Sequence, residues 1–408
     1  MTAQVSYPKC MRTSTEPARP HQPAAPRQSL PADNAPSPAR LQSALLKWFA
    51  AHRRDLPWRA EPRDPYHVWL SEIMLQQTQV AAVIPYFRRW LQRFPTLKDL
   101  AEAPIDDALK LWEGLGYYAR ARNLHRAAQV VMRDYGGRIP DTVEQLLKLP
   151  GVGRYTAGAI ASLAFGRDAP VLDGNVRRVL SRVYAIADAR SPGAVKKLWQ
   201  LSESLLPAGR AGPFNEALME LGATLCAPRA PECLRCPIRS ECRAFAAGQP
   251  EAYPARAARL PLPHKVAVAA VIADVDGRVL MAQRAHHGLL GGLWEFPGGD
   301  LEPADGEDEA SRARRLAQLV QERTGVSIRV APGDFIGVVR HTFTHFRLTR
   351  WVARVQLAGA GAAPQHGAGY IAARWIAPEA MSELALTRSD QKIGELAFGQ
   401  ASRTPRLL

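Results

Sequence analysis

Cysteine is scarce in this 408-residue chain: there are five, and four of them fall between Cys226 and Cys242. That scarcity speaks against a secreted scaffold stapled by disulfides, which is small and cysteine-dense. Long apolar runs are missing too. No stretch of about 18 apolar residues occurs, so no segment is expected to span a membrane. No apolar region follows the first basic residues, so secretion is not expected. Lysine is also rare: of 53 basic residues only nine are Lys and 44 are Arg, against 38 acidic side chains and a net charge of +15. Arg forks match phosphate oxygens bidentately, so this surplus points to a polyanionic partner, although a general bias toward Arg and Ala would produce part of it. Hydrophobic residues at 47% and charged ones at 22% are ordinary for a globular protein, and the length suits two or three domains.

Residues 1–40 hold eight Pro with many Ala, Gln and Ser and show no hydrophobic periodicity, so they read as a disordered tail. From 41 to 225 apolar residues recur at three and four, the helical period. Asp64 as N-cap and Pro65 at the first helical position open one helix clearly. Residues 243–264, rich in Ala, Arg and Pro, read as an interdomain linker. Beyond them "KVAVAAVIADVDGRVLMAQRA" reads as two strands around an Asp276-Gly277 turn. A Gly-rich loop at 288–299, a helix at 309–324 and strands at about 334–357 and 370–376 should follow.

Three stretches carry chemistry. The first is Cys226-x6-Cys233-x2-Cys236-x5-Cys242. Zinc ribbons place two close pairs far apart, whereas here four thiols share one compact loop that suits a larger cube. Thiolate chemistry by itself leaves zinc and iron–sulfur both open. The second is "LPGVGRYTAGAI" (149–160), in which Gly151 and Gly153 let the backbone approach a ligand closely. The N–H groups ahead of Arg154, at the start of the next helix, can hold a phosphate, and a tight helix–helix turn with no ligand would read the same way. "VLDGNV" follows, with Asp173 placed to cap a helix over Val176–Val183. The third is "WLSEIMLQQTQV". Glu72, Gln76 and Gln79 fall at i, i+4 and i+7, a predicted polar stripe on a helix otherwise built from Trp69, Leu70, Ile73, Met74 and Val80. Desolvation should raise the pKa of a carboxyl among such neighbours and suit it to general acid work, though a solvated Glu on an amphipathic helix gives the same string.

The cysteine spacing resembles the 4Fe–4S loop of the endonuclease III superfamily of DNA glycosylases, and "LPGVGRYTAGAI" resembles its helix–hairpin–helix. Together with "GLGYYARARNLHRAA" (114–128), the "WLSEIMLQQTQV" string closely resembles MutY-type adenine DNA glycosylases, and these motifs cover about 50–245. The resemblance implies that Glu72 protonates adenine at N7 and later helps activate water. It implies that Asp173 stabilises the positive sugar or forms a transient adduct, a role compatible with capping. Tyr155 and Asn175 match residues that support the sugar and the water. Gln77 and Tyr117 match the wedge that enters the duplex as adenine flips out, and Gln76, Gly151, Gly153 and Arg154 match DNA-contacting positions. Strand-nicking relatives carry a Lys directly after the hairpin Arg, forming a Schiff base with the sugar. Tyr155 stands there, so lyase activity is not expected. Arg177 falls where some relatives carry a Lys linked to weak sugar crosslinking.

The C-terminal half, with "LWEFPGGDLEP", resembles a Nudix or MutT-like domain. Aligning the Nudix box on Gly325-Val326 places Gln318-Leu319 on its Arg-Glu pair and Glu322-Arg323 on its two terminal glutamates. One of those three acids survives, so pyrophosphate hydrolysis is not expected. In MutY relatives this degenerate domain reads 8-oxoguanine through a Phe-Ser-His loop, and "HTFTHF" matches with Phe343, Thr344 and His345. Thr344 keeps the hydroxyl but adds a methyl and a stiffer χ1.

The expected chain is therefore multidomain. A disordered tail (1–40) precedes an all-α helix–hairpin–helix glycosylase domain (41–225) with an iron–sulfur loop (226–242). A linker (243–264) joins it to an α+β Nudix-like lesion-recognition domain (265–398), followed by a short tail (399–408). The implied partner is duplex DNA carrying adenine opposite 8-oxoguanine or guanine, and the implied cofactor is a 4Fe–4S cluster. A monomer free of membranes is expected, in the bacterial cytoplasm with the nucleoid, or in a eukaryotic nucleus or organelle.

Overall fold

The computed structural model describes residues 35–256, 261–302, 308–357 and 363–399. Residues 1–34, with Cys10, and those from 400 onward lie outside the described residues. The first helix, α1 (Pro38–His52), already begins ahead of residue 41, because Ser37 caps it through Arg40 N and Pro38 supplies a preset first position. In α2 (Pro65–Met74) the Asp64 side chain accepts from Tyr66 N at 2.7 Å. Next come α3 (Val80–Arg93), α4 (Leu97–Glu102), α5 (Ile105–Leu111) and α6 (Ala119–Asp134). The pair α7 (Val143–Leu146) and α8 (Arg154–Phe165) makes the hairpin. It is followed by α9 (Gly174–Val183), α10 (Pro192–Ser204), α11 (Ala211–Thr224) and, after the cysteine loop, a short α12 (Arg243–Ala246).

These helices enclose two apolar cores. One is built on Trp69, Phe87, Trp90 and Trp112; the other on Leu45, Phe49, Val179, Phe214 and Leu221. Helix α8 serves both, sending Ile160 and Ala161 to the first and Ala159 to the second. Its small residues permit that position. A Cβ on Gly158 would lie 2.2 Å from Pro170 O, so no larger residue fits between the lobes.

The second half is a mixed sheet in the order β3-β2-β1-β6-β5, with β4 against β1 and β7 against β2. The strands are β1 (His264–Ala273), β2 (Val279–Arg284), β3 (Trp294–Glu295), β4 (Gly298–Asp300), β5 (Phe335–Thr342), β6 (Arg347–Gln356) and β7 (Tyr370–Ile376). Alternate residues of β1 face opposite ways: Ala269 and Val271 pack with α14 (Arg388–Phe398), and Val268, Ala270 and Ile272 pack with α13 (Glu309–Thr324). Burial on both faces explains why β1 is nearly all apolar instead of alternating. The expected 288–299 loop contains β3 and β4, and α14 had no sequence expectation.

The two halves meet closely. Leu293 and Ala385 of the sheet domain are built into the first helical core. Arg122 Nη1 donates to Gly291 O at 2.7 Å, and Gln283 Nε2 to Asp106 Oδ1 at 2.8 Å. Among the described residues no helix is long and apolar enough to cross a membrane.

Candidate active site and DNA interface

Glu72 and Asp173 stand where the two helical lobes meet, on α2 and at the N-terminus of α9. Glu72 is 5% exposed, and the Tyr155 hydroxyl donates to its Oε2 at 2.5 Å. Burial pushes its carboxyl up to about 7; the Tyr155 hydrogen bond opposes the rise, and the Asp173 charge adds to it. Burial also raises Asp173, against hydrogen bonds that favour its ionised form. Asp173 Oδ1 accepts from Val176 N at 2.7 Å, so it does cap α9, and Oδ2 accepts from Asn175 Nδ2 at 2.9 Å. Asn175 is seated against Gly222 of α11, where a Cβ would come within 2.6 Å. The structure thus assembles Glu72 with Tyr155, and Asp173 with Asn175.

The polar stripe does not hold as one helix. α2 stops at Met74, and Gln79 instead is the extended N-cap residue ahead of α3. Between them Gln77 has φ +57°, in the left-handed region. Tyr117, the other half of the expected wedge, has φ +49°. One buried guanidinium holds both turns. Arg120 Nη1 donates to Ile73 O (2.8 Å), Met74 O (3.0 Å) and Gln76 O (2.6 Å), while Nη2 donates to Leu115 O (3.1 Å) and Gly116 O (3.2 Å). Desolvation lowers Arg120 to about 10. Sequence reasoning missed this residue, because an Arg in a helical string carries no sign that its partners are main-chain carbonyls of another helix. Arg120→Lys is expected to lower the unfolding free energy by about 2 kcal/mol, since three donors on a point charge cannot serve five carbonyls. Urea unfolding of wild type and variant checks this, and coincident curves would leave the clamp without energetic weight.

In the hairpin, Gly151 has φ +77° and packs so closely that a Cβ would lie 2.5 Å from Asn123 Cβ. Gly153 is the N-cap of α8, with open space where a Cβ would stand. Arg154 lies 4.0 Å over the Trp199 ring. Gln76 Nε2 donates to Thr156 Oγ1 at 3.4 Å, joining the helix break to α8.

Cys226, Cys233, Cys236 and Cys242 take part in no disulfide among the described residues and border one cavity, shared with Arg182 and Arg239. Burial and the neighbouring thiols push Cys236 up to about 12, and Cys233 and Cys242 also rise. Arg182 Nη1 lies 3.2 Å from Cys226 Sγ. Among the described residues no group of three His, Cys, Asp or Glu side chains is placed to hold a metal ion. Four thiols facing one shared cavity are nonetheless a donor set that suits an iron–sulfur group. The loop is tied to the acid site: Arg178 Nε donates to Cys226 O at 2.7 Å and Nη2 to Asn175 Oδ1 at 2.9 Å. Arg178 and Arg182, one turn apart on α9, were not foreseen either. Arg177, which was singled out, has a buried Nε with no partner.

At the sheet domain's edge, Phe343 N donates to Phe346 O at 2.9 Å and closes the β5–β6 turn. Phe343 stacks on Phe346 at 4.7 Å, while Thr344 and His345 are exposed at the tip. The His345 ring meets the Tyr117 ring edge-on at 6.2 Å, which brings the expected lesion-reading loop to the expected wedge.

Residues 70–203 match the family of HhH-GPD superfamily base excision DNA repair proteins, and residues 268–396 match the NUDIX domain. A human adenine DNA glycosylase is 38% identical over 418 residues, covering 89% of this chain and 75% of the relative. The mouse adenine DNA glycosylase is 40% identical, over 86% of this chain and 77% of its own. The chain belongs to the adenine DNA glycosylases. Among solved structures, a thermostable thymine-DNA glycosylase is 34% identical, covering 52% of this chain and 97% of that one with a TM-score of 0.48.

As an adenine DNA glycosylase of base-excision repair, the chain joins a helical HhH-GPD half to a Nudix-like half with a mixed sheet. In that second half Arg323, aligned with a terminal glutamate of the Nudix box, donates to Gly298 O at 2.8 Å. A guanidinium therefore points at the Gly298-Gly299 backbone from that position.

Proposed function

We propose that this glycosylase removes adenine paired with 8-oxoguanine or guanine, and that it does not cut the strand. The reading rests on Glu72: a carboxyl nearly sealed from solvent, raised to about 7, with Tyr155 fixing its orientation. Such a group is half protonated near neutral pH and can hand a proton to a flipped adenine, making the base a leaving group. Asp173 lies on the sugar side of the same chemistry, where its carboxylate offsets positive charge at the breaking glycosidic bond, the two-carboxylate logic of glycoside hydrolysis. Tyr155 offers no amine for a Schiff base, which leaves the sugar attached to the strand. Gln77 and Tyr117 enter the duplex, the glycines and Arg154 of the hairpin track phosphates, and Phe343, Thr344 and His345 read the opposite base. Cys226, Cys233, Cys236 and Cys242 hold a 4Fe–4S cluster, which staples the basic loop. The enzyme acts as a monomer beside its DNA, in the bacterial cytoplasm or a eukaryotic nucleus or organelle.

Single-turnover assays on a duplex with adenine opposite 8-oxoguanine test this. Base loss that needs alkali to break the strand is expected, with slower loss opposite guanine. Strand breakage without alkali, or no base loss, would overturn it.

A further inference from the structure

Glu113 lies just past α5, ahead of the loop that carries Tyr117, and its side chain is 13% exposed. Its Oε1 accepts from Leu386 N at 3.0 Å and from Gln391 Nε2 at 2.8 Å, both in the sheet domain. Its Oε2 accepts from Lys110 Nζ at 2.6 Å, and the same ammonium donates to Leu384 O at 2.9 Å. An i,i+3 ion pair of the helical domain thus grips two backbone groups of segment 384–386. That segment is firmly built into the other domain, where Trp294 N donates to Ala385 O at 2.9 Å and Trp294 bridges to Leu386.

The grip continues directly into the wedge. Tyr86 Oη donates to Glu113 O at 2.9 Å, and Gly114, at φ +97°, leaves no room for a Cβ beside that hydroxyl. Leu115 and Gly116, the next residues, present the carbonyls that Arg120 holds on either side of the approach to Tyr117.

Contact energy gained on the opposite base by one domain favours base flipping in the other only if their relative position is set beforehand. A loose tether dilutes the second contact, and a rigid one preserves it. We infer that Glu113 is a positioning residue that determines specificity, coupling the reading of the opposite base at 343–345 to the wedge at Tyr117. The inference rests on the lesion-reading role proposed above for that loop.

The test uses the full chain. Single-turnover rates are measured for wild type, Glu113→Ala, Glu113→Gln and Gln391→Ala on duplexes with adenine opposite 8-oxoguanine and opposite guanine. Glu113→Ala is expected to reduce the 8-oxoguanine-to-guanine rate ratio roughly tenfold, the scale of a hydrogen bond to a charged group. Glu113→Gln keeps an acceptor for Leu386 N and should retain most of the ratio. Gln391→Ala should lower the ratio partially from the other side, and adding it to Glu113→Ala should cost nothing further. A ratio that survives Glu113→Ala, or equal losses on both duplexes, would overturn the inference alone. A wild type without preference for 8-oxoguanine would overturn the lesion-reading role and the inference with it.

Discussion

Glu72→Gln is expected to slow single-turnover adenine release roughly 10³-fold, the middle of the range for a positioned general acid, while duplex binding is kept. The amide has nearly the same volume and still accepts the Tyr155 hydroxyl, so the 5% exposed site stays filled. It lacks only the proton to give. The same chemistry sets a pH profile. With Glu72 at about 7, the wild-type rate should fall as pH rises through neutrality, because the acid is lost. It should also fall at low pH, where Asp173, raised by burial, is neutralised earlier than an ordinary Asp. The variant should lose the alkaline limb. Residual activity within tenfold of wild type would place the acid elsewhere.

The substitution should move stability in the opposite sense to activity. The folded value of Glu72, about 7, lies above its ordinary 4.5. Its protonation therefore favours the fold fully below the ordinary value, and that contribution is lost as pH rises through about 7. Glu72→Gln never buries a charge, so above pH ~8 it should be the more stable protein by up to about 3 kcal/mol, and near pH ~4 the two should converge. Urea unfolding at the two pH values measures this, with wild type more stable at the higher one as the contrary result.

Cys236→Ser should have the second largest effect: loss of bound iron and visible absorption, together with a large drop in duplex affinity and excision. Between Cys226 and Cys242 the chain makes two short 3-10 turns, Cys233–Arg235 and Arg239–Glu241, and buries one large apolar side chain, Ile238. So little apolar contact does not offset the entropy of ordering about 17 residues at 1–2 kcal/mol each. The proposed cluster, held by all four cysteines, would supply the missing free energy, as structural metals do in small domains. Affinity falls because Arg229, Arg235 and Arg239 ride on this loop. Excision falls further because Arg178 joins Cys226 O to Asn175, and Asn175 to Asp173. The helices outside the loop have their own cores and should keep their circular dichroism. Cys10→Ser serves as control. Full iron content in Cys236→Ser would remove the cofactor from this reading.

Much of the fold could be read locally. The Asp64-Pro65 cap, the helix over 309–324, the Asp276-Gly277 turn with its flanking strands and the strand at 370–376 are each encoded within a few residues. Turn and cap chemistry acts at that range. Glu72, Asp173 and the four cysteines stood out as candidates for a related reason: each sits in a short string that resembles a family motif, although Asp173 also serves locally as the cap of α9.

What remained hidden depends on partners distant in sequence. The string from Trp69 to Val80 carries an unbroken helical period, yet α2 ends at Met74 because Arg120, 44 residues beyond Gln76, takes the carbonyls and holds Gln77 left-handed. Periodicity records which face is apolar, and it is silent on which carbonyls another helix will claim. The Tyr155–Glu72 hydrogen bond spans 83 residues, and the Glu113 grip on Leu386 spans 273. The sequence alone determined the family and the order of a helical half ahead of a Nudix-like half, and it singled out candidate reacting groups. The tertiary structure decided how Gln77 and Tyr117 are presented, what raises Glu72, and that Leu293 and Ala385 of the sheet domain join a helical core, because burial and long-range hydrogen bonds exist only once the chain has closed.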